Sequence, residues 1–427
     1  MAYLPIKGEF DGLNDSDDED EGSGNIVINV RTALLDSKKG AITAIGEIGA
    51  HCGEAFLPFL DEAVTILQQV SGTFHSLIKA EAAEALSSMV VPVVAAKHGG
   101  SINWVKGDIA GPSPLSPETT SVATAVLKTL VSLMDDVYKD TVIKACNGVE
   151  SVLNLCGPHA LALVGNECLE TTLALLTKTA PCHQSENLDE EYEDDEHDSF
   201  MTPVCDLVAA FGRVMGAQFC QFLPQFLPAI CEFAKSSRPS SDRAMAIGCL
   251  GELAQELGDG IKDYWATVFL PAILAGLADE DHNVNRNAAF CAGTCCEGLG
   301  ELVVGDYPQV LPAIGQLFNI DASSSDQSAA AVDNAAAGVC RMIMASPNNV
   351  PINQVLPVLL KALPLKNDLT ENETVYKCLL GLLQMNNADA IAQKAEIKRV
   401  FVEATAAESK LEDAWKEKLQ AAIPALN

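Results

Sequence analysis

The sequence has few basic residues and few aromatic residues. Its 427 residues include 27 Lys and Arg against 58 Asp and Glu, a formal net charge of −31. Because such an anionic surface repels phosphates, and no cluster of Lys and Arg interrupts it, we expect no direct binding of nucleic acid. The acidic excess points instead to a basic partner. Aromatic residues make up only 5%, whereas Ala, Leu and Val dominate an apolar fraction of 48%, which favours close-packed helices over strands.

Features of secreted and membrane proteins are also missing. The 14 Cys follow no framework spacing and include no CxxC pair, which indicates mostly buried thiols in a reducing compartment. No apolar run approaches the ~18 residues that cross a bilayer, and the first residues lack the charged and apolar regions of a signal peptide. The sequence therefore predicts an intracellular, soluble protein without membrane contact.

Catalytic and cofactor motifs are absent from the sequence as well. It contains no GxxxxGK[ST] loop, no glycine trio of a dinucleotide-binding fold, no HExxH pair and no GxSxG turn. Cys291, Cys295 and Cys296 share a predicted helix, but the region offers too few further ligands for a metal ion. An enzyme would need a pocket of perturbed side chains, which the sequence does not indicate. We therefore predict a non-enzymatic protein with no catalytic residue, no metal site and no cofactor.

What the sequence does contain is an internal repeat. A Leu-Pro pair recurs within apolar runs, and its prolines are 43, 41 and 45 residues apart. A glycine inside a small-residue helix recurs in step, with spacings of 39, 42, 45 and 43 residues. The two markers are Pro228, Pro271, Pro312 and Pro357, and Gly212, Gly251, Gly293, Gly338 and Gly381. Two independent markers with one period of about 40–47 residues indicate paired helices of the HEAT or armadillo kind.

One repeat can be followed from Gly258 to Leu302. Its predicted first helix contains Pro271, which bends it, and a polar turn over residues 279–283 follows. Asn285 is the predicted N-cap of the second helix, which places small and apolar residues on one face. Since one hairpin cannot bury such a stripe alone, the hairpins must stack. We predict an all-α fold, a HEAT-repeat α-solenoid that forms a right-handed superhelical arch of about eight helical hairpins.

Compositional shifts divide the chain into segments. Residues 9–21 contain eight acidic and no basic residues, 186–198 contain nine acidic and no basic ones, and 97–118 are rich in Gly, Ser and Pro. Such compositions predict loops or disorder, and the acidic runs either solubilise the protein or attract and compete for a basic ligand. The predicted organisation is an acidic segment entering the array (1–30), HEAT repeats (31–96), a Gly/Ser/Pro-rich insert (97–118), HEAT repeats (119–182), an acidic loop (183–200) and C-terminal HEAT repeats (201–427). The first repeat is incomplete, so we expect a piece of a longer solenoid.

The predicted second helices carry polar side chains opposite their apolar stripe. If these helices line the concave side, their carboxylates and amides form an acidic groove that holds Lys ammonium groups by charge-assisted hydrogen bonds. The alternative is a solvated face with helix-capping residues. The candidate binding residues are Glu252, Glu256, Asp281, Asn285, Asn287, Glu297, Glu301, Asp333, Asn334, Glu371 and Glu373.

Several segments of the sequence resemble one known family. HEAT arrays with long acidic inserts resemble importin-β-type karyopherins, the receptors that carry cargo through nuclear pores, and the closer resemblance is to the C-terminal half of the importin-4 branch. The segments that carry it are Met344–Pro347 (MASP), Gln354–Leu356, residues 362–369 (ALPLKNDL), Glu47-Ile48 with Ala55–Pro58, and the acidic insert before Thr202.

The resemblance implies what such a protein binds. The fungal member of the branch imports histones and ribosomal proteins, and the branch recognises Lys-rich nuclear localisation segments, notably the tails of histones H3 and H4. It can also carry a histone pair together with its chaperone. In the full-length receptor, Ran-GTP and FG-repeat proteins of the nuclear pore are further implied partners, and the receptor shuttles between cytoplasm and nucleus. The family's main Ran-GTP contacts lie in the N-terminal half, which we expect this sequence to lack.

Two hypotheses about function follow. The leading one is the cargo-binding C-terminal region of a nuclear import receptor, which clamps Lys-rich signals reversibly in an acidic concave groove without changing any covalent bond. The alternative is a static HEAT-repeat scaffold subunit for assembling a protein complex, which would bind folded partners through loops and ridges. The two differ in salt dependence, because only an acidic groove should lose affinity for a basic peptide steeply as salt rises.

Overall fold

A computed structural model describes residues 23–109, 111–184, 197–406 and 410–426. Helices dominate these ranges, and no strand occurs within them. The predicted acidic run 9–21, and all but the last two residues of the run 186–198, lie outside the described residues.

Twenty α-helices, separated by turns and short 3-10 segments, make up this part of the chain. In chain order they are α1 (Ser23–His51), α2 (Leu57–Ser71), α3 (Ser76–Ser88), α4 (Val90–His98), α5 (Pro117–Leu133), α6 (Lys139–Cys156), α7 (Pro158–Leu161), α8 (Gly165–Leu176), α9 (His197–Met215), α10 (Leu223–Phe233), α11 (Ser240–Leu257), α12 (Leu270–Leu277), α13 (His282–Leu299), α14 (Tyr307–Leu317), α15 (Asp326–Ala345), α16 (Ile352–Ala362), α17 (Asn372–Gln384), α18 (Ala388–Ala392), α19 (Lys394–Ala404) and α20 (Asp413–Ala422). Because α1 and α9 begin inside the segments 1–30 and 183–200, the helical array extends further at both points than the sequence predicted.

These helices stack as hairpins, each with a first and a second helix. The pairs are α2 with α3, α5 with α6, α8 with α9, α10 with α11, α12 with α13, and α14 with α15. Helix α1 precedes them and lies along α3, and α4 continues α3 after a break at Met89. Helices α16–α20 follow, and α17 lies along α15 as the next second helix. The predicted all-α HEAT-repeat solenoid is thereby confirmed.

The second helices form the inner layer of the stack. Each lies against the next along much of its length, whereas adjacent first helices meet only at a few positions. Small residues allow this approach: a Cβ added at Gly293 would lie 2.8 Å from Gly338 Cα, and one at Gly338 would lie 2.7 Å from the Ala289 carbonyl oxygen. Since a curved stack is tightest on its concave side, the second helices line that side.

The turn between α12 and α13 differs from the prediction. The Asp281 carboxylate accepts the backbone N–H groups of Asn283 (2.8 Å) and Val284 (3.3 Å), so Asp281 and not Asn285 is the N-cap of α13. Asn285 is buried one turn inside the helix, where its amide donates to the Gly276 carbonyl (3.0 Å) at the end of α12. The buried amide therefore ties the first helix of the repeat to the second.

Pro271 lies at a change of helix type within the predicted first helix. A 3-10 helix and a π-helical turn (Trp265–Phe269) lead without a break into α12, and Pro271 lies in the first turn of α12. The prediction of a proline inside the first helix is correct for Pro228, Pro312 and Pro357, which lie within α10, α14 and α16.

The first part of the Gly/Ser/Pro-rich insert packs on the helices. We call residues 99–109, which leave α4, the crossing loop. Its Ile102 is buried, and the indole N–H of Trp104 donates to the Asn154 carbonyl (3.2 Å) on α6. A Cβ at Gly157 would lie 2.2 Å from Trp104 Cγ, so only Gly leaves room for this ring. The loop is therefore anchored at Trp104.

One stretch, Phe200–Phe233, is long and apolar enough to cross a membrane by length and mean hydropathy, which the sequence analysis had not predicted. It comprises α9, a 3-10 segment and α10, and 78% of its most apolar window is buried within the structure. Core helices pass the same test when they are this apolar. The stretch belongs to the core of the stack, and it also carries the charged residues Asp206 and Arg213.

A buried carboxylate holds the loop between α16 and α17 against the inner layer. Asp333 on α15 has only 1% of its surface exposed. Its carboxylate accepts the backbone N–H groups of Lys366, Asn367 and Asp368 at 2.7–3.1 Å. Charge-assisted hydrogen bonds of this kind are among the strong ones in proteins, so this side chain fixes the position of the loop.

We predict that Asp333→Ala lowers the free energy of unfolding by about 2–4 kcal/mol, because three inward-facing N–H groups lose their acceptor. Denaturant titration followed by circular dichroism measures the loss. Asp326→Ala, on the exposed first turn of the same helix, is the control and should change stability by no more than ~0.5 kcal/mol. Equal effects of the two substitutions would contradict the assignment.

Candidate binding site

The inner layer contains an open cleft between α9, α11, α13 and the loop before α17. Its volume is about 280 Å³, and its lining includes the apolar side chains of Met245 and Phe290. Polar and charged residues form much of the remaining wall. They are Thr202, Asp206, Glu252, Arg286, Asn287, Asn334, Asp368, Thr370 and Glu371. The cleft thus offers both apolar contact and carboxylate oxygens to a ligand.

At this cleft, three carboxylates surround one guanidinium, and a fourth carboxylate interacts with them electrostatically. We call Glu150, Asp206, Arg213, Glu252 and Glu256 the Arg213 cluster. The guanidinium nitrogens lie 3.4 Å from Glu256, 3.8 Å from Glu252 and 3.9 Å from Glu150. Asp206 shares α9 with Arg213 and interacts electrostatically with Glu150 and Glu252. The five side chains come from α6, α9 and α11, so only the stacking of successive second helices brings them together.

The Arg213 cluster carries more negative than positive charge. The cations that pair with its carboxylates are Arg213 itself and, from outside the cluster, Lys106 of the crossing loop, which pairs with Glu256. Four ionised carboxylates against these two cations leave a formal charge of −2. Burial, followed by the neighbouring carboxylates, raises the pKa of Glu252 to about 6, and the same causes raise the pKa of Asp206 to about 6. Both are ionised but poorly compensated at neutral pH, which favours the binding of a further cation.

The arginines further along the inner layer are better compensated. The Arg341 guanidinium pairs with the buried Glu371 (2.8 Å) and with the exposed Glu297 (3.5 Å). Arg286 pairs with Asp368 at 2.7 Å. Because these carboxylates are occupied by arginines of the same chain, this part of the wall offers a ligand less uncompensated charge than the Arg213 cluster does.

Four of the predicted binding residues are buried and serve the fold. They are Asn285, Asp333, Asn334 and Glu371. Asn285 and Asp333 hold the turns described above, while Asn334 donates to the Asp368 carboxylate (2.9 Å) and Glu371 pairs with Arg341. Asn285 and Asp333 thus have structural roles that helical phase alone does not reveal. Asn334 and Glu371 pair within the fold but also line the cleft, so their part in binding stays a prediction.

Asp281 and Glu301 lie at the two ends of α13, away from the middle of the inner face. Asp281 caps the helix, and the Glu301 carboxylate accepts the Ser346 hydroxyl (2.6 Å). Glu297 and Glu373 are exposed, and Glu373 pairs with a lysine of its own helix. These four residues do not converge on one site.

Of the predicted residues, Glu252 and Glu256 meet in the Arg213 cluster, and Asn287 lines the adjoining cleft. The Asn287 amide also donates to the Ala244 carbonyl (2.7 Å), so it links α13 to α11 as well. Their convergence on one site and its excess negative charge therefore leave Glu252 and Glu256 as the predicted residues best placed to receive a cation.

Sequence reasoning did not find Glu150, Asp206, Arg213 or Lys106. In α9 only Gly212 was used, as a marker of the period, and Lys106 lies in a loop without periodicity. One signal was present: Asp206 and Arg213 are seven residues apart, and Glu252 and Glu256 are four apart. Each spacing places both members of a pair on one face of a helix.

The geometry of the Arg213 cluster fits an ammonium group better than a metal ion. Within the described residues, no group of three or more His, Cys, Asp and Glu side chains is placed to hold a metal ion. An ammonium group donates up to three hydrogen bonds to acceptors that need not touch one another. The arrangement can therefore bind the side chain of a lysine.

Comparison with known proteins identifies relatives of the chain, although no protein-family model matches it. Probable importin subunit beta-4 of Schizosaccharomyces pombe is 25% identical over 405 residues, which cover 92% of this chain and 37% of the relative. Importin-4 of Mus musculus is 28% identical over 399 residues (91% and 35%), and Importin-4 of Homo sapiens is 27% identical over 387 residues (87% and 34%). The chain spans little more than a third of the length of these curated relatives.

Solved structures of Kap121p share the fold. The crystal structure of Kap121p bound to RanGTP has a TM-score of 0.69 at 16% identity and covers 92% of this chain and 35% of Kap121p. The complex with Nup53p has a TM-score of 0.67 at 16% identity (92% and 36%). Fold and relatives together define the class of protein: the chain is a helical-repeat solenoid with the fold of the karyopherin Kap121p. Its sequence is similar to proteins of the importin-4 branch, which confirms the predicted resemblance.

Two of the relatives are named importin-4, a name given to transport receptors and not to enzymes. This agrees with the prediction that the chain is not an enzyme.

We predict that Glu252→Gln raises the melting temperature at pH 7.5, because it removes one of several crowded carboxylates. The pKa of Glu252 rises from 4.5 to about 6 on folding, so the native state binds this proton more tightly than the unfolded chain does. Ionised Glu252 therefore destabilises the fold above about pH 6, and the penalty fades as pH falls toward 4.5. Thermal denaturation of both proteins at pH 7.5 and pH 5 measures the effect.

Glu373→Gln is the matched control for that substitution. The hydrogen bond and charge of Lys377 lower the pKa of Glu373, so its ionised form stabilises the fold at neutral pH. Its replacement should lower the melting temperature slightly. A melting temperature that falls for Glu252→Gln as well would contradict the uncompensated charge of the Arg213 cluster.

Proposed function

We propose that this chain is the cargo-binding region of a nuclear import receptor and that the Arg213 cluster receives lysine side chains of the cargo. The observation that carries the proposal is the excess of partly buried carboxylates on the inner layer, with the pKa values of two of them raised. A bound ammonium group would compensate that charge through charge-assisted hydrogen bonds. Binding is reversible and involves no covalent step.

The adjoining cleft supports a peptide rather than a single amine as the ligand. It lies directly beside the cluster and contains Met245 and Phe290, against which the apolar part of a lysine stem or of its neighbours can pack. Exposed Glu297 lies further along the same layer. An extended segment with several lysines would place one at the Arg213 cluster and others along this wall.

The comparisons support transport as the context. The relatives are named importins, and solved Kap121p structures include complexes with RanGTP, Nup53p, Ste12p and Pho4p. By analogy we propose that the whole receptor, of which this chain is a part, binds Ran-GTP and FG-repeat proteins of the nuclear pore. It would then shuttle between cytoplasm and nucleus.

For the cargo we propose Lys-rich segments of histones H3 and H4, alone or with a histone chaperone, and ribosomal proteins. The support is the chemistry of the site: these tails and proteins are rich in lysine, and the chain is acidic even without its two acidic runs. Removing the 17 acidic residues of 9–21 and 186–198 from the net charge of −31 still leaves −14.

Our test is the affinity of a fluorescent histone H3 tail peptide, measured by anisotropy at 50 and 200 mM salt. We expect Asp206→Asn combined with Glu252→Gln to weaken binding roughly tenfold at the lower salt, because two carboxylate acceptors are lost. For the unchanged protein, affinity should fall steeply with salt.

Glu232→Gln on the first helix α10 is the control, since it removes a carboxylate that is 55% exposed and lies outside the inner layer. It should leave affinity within about twofold of the unchanged protein. Binding that ignores both salt and the double substitution would contradict the proposal and favour the static scaffold.

We also predict that acetylating the lysines of the same peptide lowers its affinity, because acetylation removes the charge that the carboxylates bind. Peptides with no, two and four acetyl groups should bind progressively more weakly. A tail that binds equally well when fully acetylated would show that contacts other than lysine ammonium groups hold it.

A further inference from the structure

The crossing loop runs over the ends of three successive second helices. Trp104 is anchored on α6, as described above. Two residues later, Lys106 reaches Glu256 near the end of α11, and the backbone N–H of Gly107 donates to the Val214 carbonyl (2.8 Å) on α9. The crossing loop, which leaves α4, therefore reaches the candidate binding site.

A lysine of the chain itself thus already contacts the Arg213 cluster. The Lys106 ammonium donates to the Glu256 carboxylate and to the Glu256 carbonyl (3.2 Å). Its stem lies on Gly216, where an added Cβ would come within 2.9 Å of Lys106 Cγ. The Lys106 side chain is 42% exposed, whereas that of Glu256 is 11% exposed. The lysine therefore approaches the carboxylate from the solvent side, as a ligand would.

The contacts that hold this end of the loop are few and local. Beyond Lys106 they are the Gly107 N–H bond to α9, a bond from the Gln218 amide to the Gly107 carbonyl, and the partly buried side chain of Ile109, which packs against the core. Ile102 is buried and Trp104 is anchored on the side nearer α4, whereas Val105 is 65% exposed. Segments with exposed backbone hydrogen bonds and little apolar burial open locally without global unfolding. Residues 105–107 can therefore leave the cluster while Trp104 stays in place.

We propose that Lys106 is an internal occupant of the Arg213 cluster that competes with the lysines of a bound segment. The inference rests on the function proposed above and adds its regulation: cargo must displace Lys106 from Glu256 before it gains the full set of carboxylates. Ligands with several lysines, which can bind elsewhere along the wall first, are favoured over ligands with one. The crossing loop thereby raises the selectivity of the site for Lys-rich segments.

Lys106→Met tests this, because it keeps the stem on Gly216 and removes the ammonium group. The expected result is about fivefold tighter binding of the histone H3 tail peptide, the scale of a partly exposed ion pair. Lys106→Arg keeps the charge and should bind as the unchanged protein does. Lys235→Met on α10 removes a lysine that pairs with Glu232, and it should leave affinity unchanged. Equal tightening by Lys235→Met would show a net-charge effect and overturn the proposal.

Hydrogen exchange distinguishes this role from a purely structural one, because peptide binding should change amide exchange in the crossing loop only if the peptide displaces Lys106. Addition of the peptide to the unchanged protein should speed exchange at the Gly107 N–H. Displacement of Lys106 moves the loop and breaks the hydrogen bond from the Gly107 N–H to the Val214 carbonyl. Slower or unchanged exchange there, or unchanged affinity of Lys106→Met, would overturn the proposal. If the peptide still binds more weakly to the Asp206→Asn, Glu252→Gln double variant, the proposed function stands and only the role of Lys106 is overturned. If the double variant binds the peptide as tightly as the unchanged protein does, the proposed function is itself overturned.

Discussion

The close contact between successive second helices is the constraint on which the rest of the structure depends. At the contact between α13 and α15, the glycines Gly293 and Gly338 let backbone meet backbone, and a Cβ at either would overlap the other helix. This approach draws the second helices into one inner layer. It also brings residues that are more than forty positions apart, such as Arg213 and Glu256, within 3.4 Å of each other.

The same closeness gathers like charges on one wall. In isolated helices, Glu150, Asp206 and Glu252 would each be solvated separately. Stacking places Glu150 and Glu252 beside a single guanidinium and brings Asp206 within electrostatic range, with part of its hydration removed. Raised pKa values of Asp206 and Glu252 record the cost of that arrangement. Repulsion among these carboxylates destabilises the fold while the site is empty, and a bound cation relieves it. Binding sites commonly lower the stability of the fold that holds them in this way.

Features that depend on neighbouring positions in the sequence could be predicted, and features that depend on contacts between distant segments could not. The repeat period, the paired helices and the small-residue stripe were readable because each follows from spacing along the chain. The capping residue was misassigned, since Asp281 and Asn285 are both good N-cap residues and only backbone geometry distinguishes them. Asp333 and Glu371 looked like members of an acidic face, but the loop before α17 covers the former and Arg341 neutralises the latter.

The amino-acid sequence by itself determined the class of fold, the acidic character of the protein and its resemblance to the importin-4 branch. The spacing of residues and the sum of their charges are properties of the linear chain, so both can be read without coordinates. Only the tertiary structure decided which carboxylates meet. Coulombic and hydrogen-bonding interactions act over a few ångströms, so the pairing of Glu256 with Arg213 and Lys106 depends on how three hairpins and a loop are stacked, and no spacing within one segment encodes that distance.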